Sequence, residues 1–374
     1  MSAHRFKTGD RPLGRYEIVS FLDAGGMQEV YVAKDRTLRR KVVLKIPKSG
    51  AGDKRFARGA EMSARVNHPN VAATFDYFEA DGVTGLIEEY IVGKDLGKRL
   101  SEDYLFMDPA LAAHTVHHLG RAIHEAHRVG ICHRDLKPSN IMTSADEALS
   151  AVKLTDFGIA KLAESTIGAE VELFNRDDST LTSSKTLLGA VPYMAPECWK
   201  DWKSAGQPSD IWGLGCIAFH LLYGDPPFGA GRSAIMNLAR AEVGGISLTK
   251  PAWFGRHSST ATLEEELWAL ITACIQLDPT ARPTAAKVVS MCDSLCYAAS
   301  PRQRGTVGDF GIRFASGGKG NFGFIWDAAR GKHFFHGSDF FGNEGPKSGQ
   351  SVLFSEYPGV PQPRSCPVLL LRSE

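Results

Sequence analysis

No run of about 18 apolar residues occurs in this 374-residue chain, so no segment has the length of a membrane-spanning helix. The first residues, Met1 to Lys7, lack an apolar core and do not read as a secretory signal peptide. Neither sign of charge is in excess. With 43 Lys and Arg against 42 Asp and Glu, global charge argues for no polyanionic partner. Cysteine is sparse and unpatterned: Cys132, Cys198, Cys216, Cys274, Cys292, Cys296 and Cys366 lie mostly in apolar runs and complete no zinc spacing. Reduced, buried thiols in a cytoplasmic protein are expected. A hydrophobic fraction of 43% and a charged fraction of 23% are those of an ordinary globular protein. The length allows two domains.

The most informative stretch is His133-Arg134-Asp135-Leu136-Lys137-Pro138-Ser139-Asn140, followed sixteen residues after Asn140 by Asp156-Phe157-Gly158. Pro138 removes a backbone donor and Ser139-Asn140 favour turns, so the first piece reads as a tight loop after an apolar helix. The second closes the short strand Ala151 to Thr155, and a turn at Ser144-Ala145-Asp146 folds the two together. This brings Asp135, Asn140 and Asp156 to one end of a sheet. There Asp135 can accept a hydroxyl proton, Lys137 can steady a transferring phosphoryl group, and Asn140 with Asp156 can hold magnesium. Each residue alone has a plainer reading as surface or turn. In this order and spacing they resemble the catalytic loop and metal-binding motif of the protein kinase family, with Lys137 as in its Ser/Thr-specific branch.

Upstream, three strand-like runs begin at Tyr16, Glu29 and Lys41, and Asp23 to Gln28 form a tip between the first two. The pair Gly25-Gly26 can lay backbone amides on phosphates, although an ordinary hairpin turn explains it equally. The resemblance makes Gly25, Gly26 and Val30 part of the nucleotide-binding loop, with Asp23 and Gln28 where its outer glycines usually stand. It makes Lys45, mid-strand in apolar surroundings, the lysine that contacts the nucleotide phosphates. That lysine normally pairs with a Glu on the next helix, here Lys54 to Val66. Gly59 stands at that position, and Glu61 lies about 200° around the helix. Either a shift of the helix presents Glu61 to Lys45, which is expected because an unpaired buried ammonium is costly, or Lys45 lacks its usual partner and Asp156 is the other nearby acid. Glu88-Glu89-Tyr90-Ile91 resembles the segment linking the two lobes, with Glu89 placed to bind the adenine. Glu88 falls where an apolar residue or Thr usually stands, and a carboxylate buried there needs a partner or a raised pKa.

Residues 109–130 read as an amphipathic helix whose five histidines form a solvated face rather than a metal site. The polar stretch after Gly158 holds Ser179, Thr180, Thr182, Ser183, Ser184 and Thr186. The resemblance makes it an activation loop, with a phosphate expected to pair with Arg134. It also makes Glu197 and Arg282 a structural ion pair and Asp210 a brace for the catalytic loop. Ala190 replaces a usual Thr.

At Ala298 to Arg302 the composition changes. The last 72 residues carry nine of the twenty Phe and thirteen of the thirty-eight Gly, in short alternating runs that suggest a small β-barrel. Gly320-Asn321-Phe322-Gly323-Phe324-Ile325 and Lys332-His333-Phe334-Phe335-His336 resemble the nucleic-acid motifs of the cold-shock domain family. The resemblance implies that Phe322, Phe324, Phe334 and His336 stack on unpaired bases; period-two aromatics also fill barrel cores. Eight Lys and Arg against six Asp and Glu leave this segment only slightly positive.

The expected architecture is α+β: a flexible stretch over 1–13, a two-lobed kinase fold over 14–296, a linker over 297–303 and an OB-like barrel over 304–374. The expected function is transfer of the γ-phosphoryl of ATP, with magnesium, to Ser or Thr hydroxyls of proteins. Single-stranded RNA or DNA is the expected partner of the barrel. Asp23, Gly59 and Ala190 leave open a scaffold that binds nucleotide and transfers poorly, and the barrel leaves open a nucleic-acid-binding protein with a regulatory kinase part.

Overall fold

The structure is a computed structural model that describes residues 4–24, 28–48, 54–80, 82–157, 189–201, 204–298, 300–312, 318–360 and 362–372. The chain opens with an antiparallel sheet ordered β1-β2-β3-β5-β4. Its strands are β1 Tyr16–Ala24, β2 Gln28–Asp35, β3 Arg40–Pro47, β4 Thr74–Ala80 and β5 Val83–Glu89, with helix α1 Lys54–Ala64 inserted after β3. Alternation explains one face: Tyr16 and Ile18, Tyr31 and Ala33, and Val42, Leu44 and Ile46 form one buried cluster. Phe56 and Ala60 of α1 pack with Leu86 in a second cluster.

A helical lobe follows, begun by β6 Gly93–Asp95, which pairs with β7 Ile141–Ser144, itself paired with β8 Val152–Leu154. Helix α2, Pro109–Arg128, starts at Asp108, whose side chain accepts from the amides of Ala110 and Leu111, with Pro109 in the first turn. The histidines of α2 do not form a solvated face. His114 and His117 are buried, because α6 (Ala285–Asp293) and the chain beyond it cover that side. His117 reaches the Tyr297 hydroxyl at 2.8 Å and the Asp293 carboxylate at 3.0 Å. Helices α3 Gln207–Tyr223, α4 Arg232–Gly244 and α5 Ala261–Cys274 complete the lobe. At Gly215 a Cβ would lie 2.7 Å from the Cβ of Cys274, so only glycine allows α3 and α5 to approach this closely.

The C-terminal strands are β9 Gln303–Phe310, β10 Phe322–Asp327, β11 Lys332–His336, β12 Phe340–Phe341, β13 Ser351–Tyr357 and β14 Arg364–Leu370. The order β11-β10-β9-β13-β14 closes into a five-stranded barrel through a parallel β11–β14 pairing, and β12 lies outside β14. Val307, Ile325, Phe335, Val352, Phe354 and Val368 fill its interior. Alternation places Leu353, Leu369 and Leu371 on the opposite face, together with Phe341, and all four belong to the core of the helical lobe. The barrel therefore shares a core with the lobe before it.

The segment expected to be a linker is tied down as well. Arg302 and Asp108 are almost fully buried as an ion pair, with Nη2 donating to Oδ1 at 2.9 Å. Arg372 donates to the carbonyls of Leu100 and Tyr104. Because Asp108 also caps α2, one carboxylate joins the helix that leads to the His133–Asn140 loop to the chain entering the barrel. Arg302→Ala leaves this buried carboxylate without its cation and should cost about 3–5 kcal/mol, read as a lower urea midpoint of the whole chain.

Within the barrel, His333 donates to Asp327 at 2.9 Å and to Glu356 at 2.9 Å. Burial alone would lower its pKa, but the two carboxylates outweigh it and the net direction is up. A folded-state pKa above the ordinary value of about 6.5 means this stabilisation is complete below that pH and lost as pH rises through the folded value. The thermal midpoint of wild type should therefore fall from pH 6 to pH 9 by more than that of His333→Gln.

Candidate active site

The site lies where the sheet meets the helical lobe. Asp210, near the start of α3 and 1% exposed, accepts from the backbone amides of His133 at 2.8 Å and Arg134 at 2.7 Å and from His127 Nε2 at 2.8 Å. Three donors on one buried carboxylate fix the loop that carries Asp135. Arg134 is held at φ 65°, a strained conformation for a side chain of this size. His133 bonds the Thr155 carbonyl at 2.8 Å and meets Phe157 edge-on at 4.8 Å. The two motifs are thereby pinned together.

On this loop Lys137 Nζ lies 2.7 Å from Asp135 Oδ2. Asn140 Nδ2 donates to the Asp135 carbonyl at 2.8 Å and to Oδ2 at 3.0 Å, so the Asn140 side-chain oxygen is the atom free to act as a ligand. The Thr155 hydroxyl reaches both the Asn140 carbonyl and Asp156 Oδ2, which sets Asp156 beside the loop. Asp156 is itself at φ 64°. Glu197 receives two bonds from Arg282, at 2.7 and 2.8 Å, and a third from Ser209. Ala190 is buried and brings no hydroxyl to the loop.

Lys45 corrects one expectation. The residue is 4% exposed, and its ammonium pairs with two carboxylates: Glu88 of β5, and Asp156 Oδ1 at 2.6 Å. Glu61 is not its partner. It is exposed on α1 and lines a surface groove with Lys54, Arg58 and Arg65, because the helix keeps its register and turns buried Gly59 inward instead. Burial alone would depress the Lys45 pKa; the two carboxylates outweigh it and raise it. Burial pushes the Glu88 carboxyl up against the opposing charge of Lys45. Asp156 meets the same desolvation, but Lys45 holds it below its ordinary range.

Gln28, which the sequence placed only at an outer-glycine position, makes a contact in the site that the sequence did not reveal. Its Nε2 donates to Asp156 Oδ1 at 3.3 Å, while its Oε1 is buried without a partner among the described residues. An orphaned acceptor beside a carboxylate is where a bound group with donors would fit. Asp156 and Asn140 supply the oxygen ligands that magnesium prefers, so the residues fit that ion. Val30 faces Lys45 across the β2–β3 ladder. Glu89 turns its carboxylate to Lys153 at 2.8 Å and its amide to the Ala73 carbonyl. Asp23 is exposed. Gly25, Gly26, Gly158 and the Ser179 to Thr186 cluster lie outside the described residues.

On the barrel, Phe322, Phe324 and Trp326 of β10 and Lys332, Phe334 and His336 of β11 occupy the outward face, in the register Phe322–His336, Phe324–Phe334 and Trp326–Lys332. The three phenylalanine rings lie 5.8–6.5 Å apart, each half-buried, and Lys332 Nζ sits 3.8 Å above Phe324. A Cβ on Gly308 would come within 2.4 Å of the Trp326 indole nitrogen, so glycine there lets the ring lie across β9. Trp326, 41% exposed, extends the expected stripe; the alternation from Phe322 and Phe324 could have found it.

Comparison with known proteins agrees with this arrangement. The chain is 36% identical over 223 residues to serine/threonine-protein kinase PknB of Mycobacterium leprae, covering 57% of this chain and 33% of that protein. It is 34% identical over 232 residues to serine/threonine-protein kinase PrkC of Bacillus subtilis, covering 61% and 33%. The matched region thus spans about a third of the length of these relatives. The crystal structure of Rad53 1–466 in complex with AMP-PNP shares the fold at a TM-score of 0.55 and 23% identity, over 75% of this chain and 65% of that one. The profile of the protein kinase domain matches residues 16–292: the chain belongs to the protein kinase family.

Proposed function

We propose that residues 14–296 transfer the γ-phosphoryl group of ATP to Ser or Thr hydroxyls of protein substrates. The carrying observation is the convergence of Asp135, Lys137 and Asn140 on one braced loop, with Lys45 and Asp156 held beside it. Asp135 orients the attacking hydroxyl and takes its proton. Lys137, bonded to Asp135, holds that carboxylate in place and brings positive charge to the transferring group. Lys45 holds the nucleotide phosphates, and the backbone of Glu89 meets the adenine. Asn140 and Asp156 would hold magnesium, whose charge when bound offsets that of the phosphates. No helix among the described residues is long and apolar enough to cross a membrane. All seven thiols are free, which suits the cytoplasm. Asp135→Asn should lower kcat by ~10²–10⁴-fold with ATP affinity little changed, read by radiolabel transfer to a basic protein and by calorimetry. Unchanged transfer in the variant would sink this reading.

The barrel, residues 304–374, we take as an OB-like, cold-shock-like module that binds single-stranded RNA or DNA weakly. Support comes from the outward aromatic face, where Phe322, Phe324, Phe334 and His336 offer π-surfaces worth ~1–3 kcal/mol per stacked base. The slight positive charge implies few phosphate contacts and a shallow salt dependence. In the full chain, Phe322→Ala and Phe334→Ala should each weaken binding of a labelled oligonucleotide at least tenfold with the thermal midpoint nearly kept. Phe335→Ala, in the barrel interior, should unfold it. Unaltered oligonucleotide affinity in both surface variants excludes the stacking face.

A further inference from the structure

We propose that Glu88 on β5 is the residue that positions Lys45 for phosphate binding, in the role a helix α1 carboxylate would otherwise fill. The inference rests on the phosphotransfer reading and adds to it a positioning residue outside the expected set.

The geometry leaves Lys45 few choices. Its ammonium is buried and needs a fixed counter-charge. Helix α1 offers none on its inward face: Phe56 and Ala60 pack against Leu86, Gly59 between them is buried, and Glu61 is exposed. Asp156 touches Lys45 at 2.6 Å, but it is also the proposed magnesium ligand, so its charge is shared once the ion binds. Glu88 has no such second duty. It is 4% exposed and stands opposite Val43 on the strand that pairs directly with β3, where Lys45 faces Leu86. Both ends of the Lys45–Glu88 pair therefore sit on adjacent strands of one sheet. A carboxylate on α1 moves with the helix; one on β5 does not move relative to β3. Lys45 is thus set by the sheet itself, and its placement is independent of where α1 lies.

The test compares wild type, Glu88→Gln, Glu88→Gln with Gly59→Glu, and Glu61→Gln in the full chain, with magnesium-ATP as substrate. Glu88→Gln should lower kcat/KM for ATP at least tenfold while KM for the protein substrate stays put. Adding Gly59→Glu should recover a substantial part of that loss by supplying a carboxylate from the buried face of α1. Glu61→Gln should match wild type. Thermal midpoints within a few degrees separate positioning from a folding defect. Should Glu88→Gln fold poorly, Glu88→Asp decides instead, with a shorter carboxylate expected to give an intermediate loss. A Glu88→Gln enzyme as active as wild type, or more active, overturns the proposal, as does a loss in Glu61→Gln. If wild type itself transfers no phosphate, the functional reading fails separately. Calorimetry with an ATP analogue then still tests the Lys45–Glu88 pair, through an expected tenfold weaker binding by Glu88→Gln.

Discussion

A buried lysine on β3, Lys45, whose ammonium lies between Glu88 and Asp156, is the constraint around which this molecule is arranged. Removed from water, such a charge is strongly unfavourable unless carboxylates with good geometry meet it. The two that do come from different elements. Glu88 belongs to the same sheet, and Asp156 comes from the turn after β8 in the helical lobe. One cation therefore joins the two lobes at the point where the reacting groups must meet. The cluster carries two carboxylates for one ammonium, which is why burial drives Glu88 upward while Asp156 is held down. Gln28 supplies an additional donor to Asp156, easing the excess of negative charge without adding a second cation.

Beneath that cluster the loop is fixed by another buried carboxylate used economically. Asp210 holds the amides of His133 and Arg134 and the ring of His127, so helix α2, helix α3 and the catalytic loop share one acceptor. At the other end of α2, Asp108 caps the helix and pairs with Arg302. Each end of α2 is thus secured by a buried carboxylate, and the N-terminal one, Asp108, leads to the chain entering the barrel. This continuity gives the barrel a direct mechanical connection to the helix that presents the catalytic loop. Shared apolar packing reinforces it: Phe341 stacks on His257 at 3.9 Å and meets Trp253 edge-on at 5.6 Å.

The groups proposed to do the chemistry were legible because they are close in sequence. Asp135, Lys137 and Asn140 lie within six positions, and their spacing alone places them on one loop. That Glu88 pairs with Lys45 was not legible, because it depends on strand register across β3 and β5 and on the rotational phase of α1. The sequence did carry half of the answer: Glu61 was about 200° out of phase, and an acid at position 88 needed a partner. Putting those two facts together required knowing that Lys45 and Glu88 meet across adjacent strands. The histidines of α2 failed for a similar reason. Their helical phase was clear, but which neighbour covers that face is decided by α6, far along the chain.

The barrel shows where a local pattern was present and its meaning was missed. Val352-Leu353-Phe354 and Val368-Leu369-Leu370 are consecutive apolar residues, whereas a strand with one solvated face alternates. Such runs imply burial on both sides. One side is the barrel interior, with Val352, Phe354 and Val368; the other is the helical lobe, with Leu353 and Leu369. By contrast β10 alternates cleanly, with Gly323 and Ile325 inward and Phe322, Phe324 and Trp326 outward. No second body covers that face among the described residues. The barrel is therefore two-sided by construction: β13 and β14 anchor it to the lobe, and β10 and β11 present a continuous aromatic surface away from its core. A half-exposed aromatic face, set against an opposite face of the same small barrel that is fully buried, is the feature on which the proposed stacking contact rests.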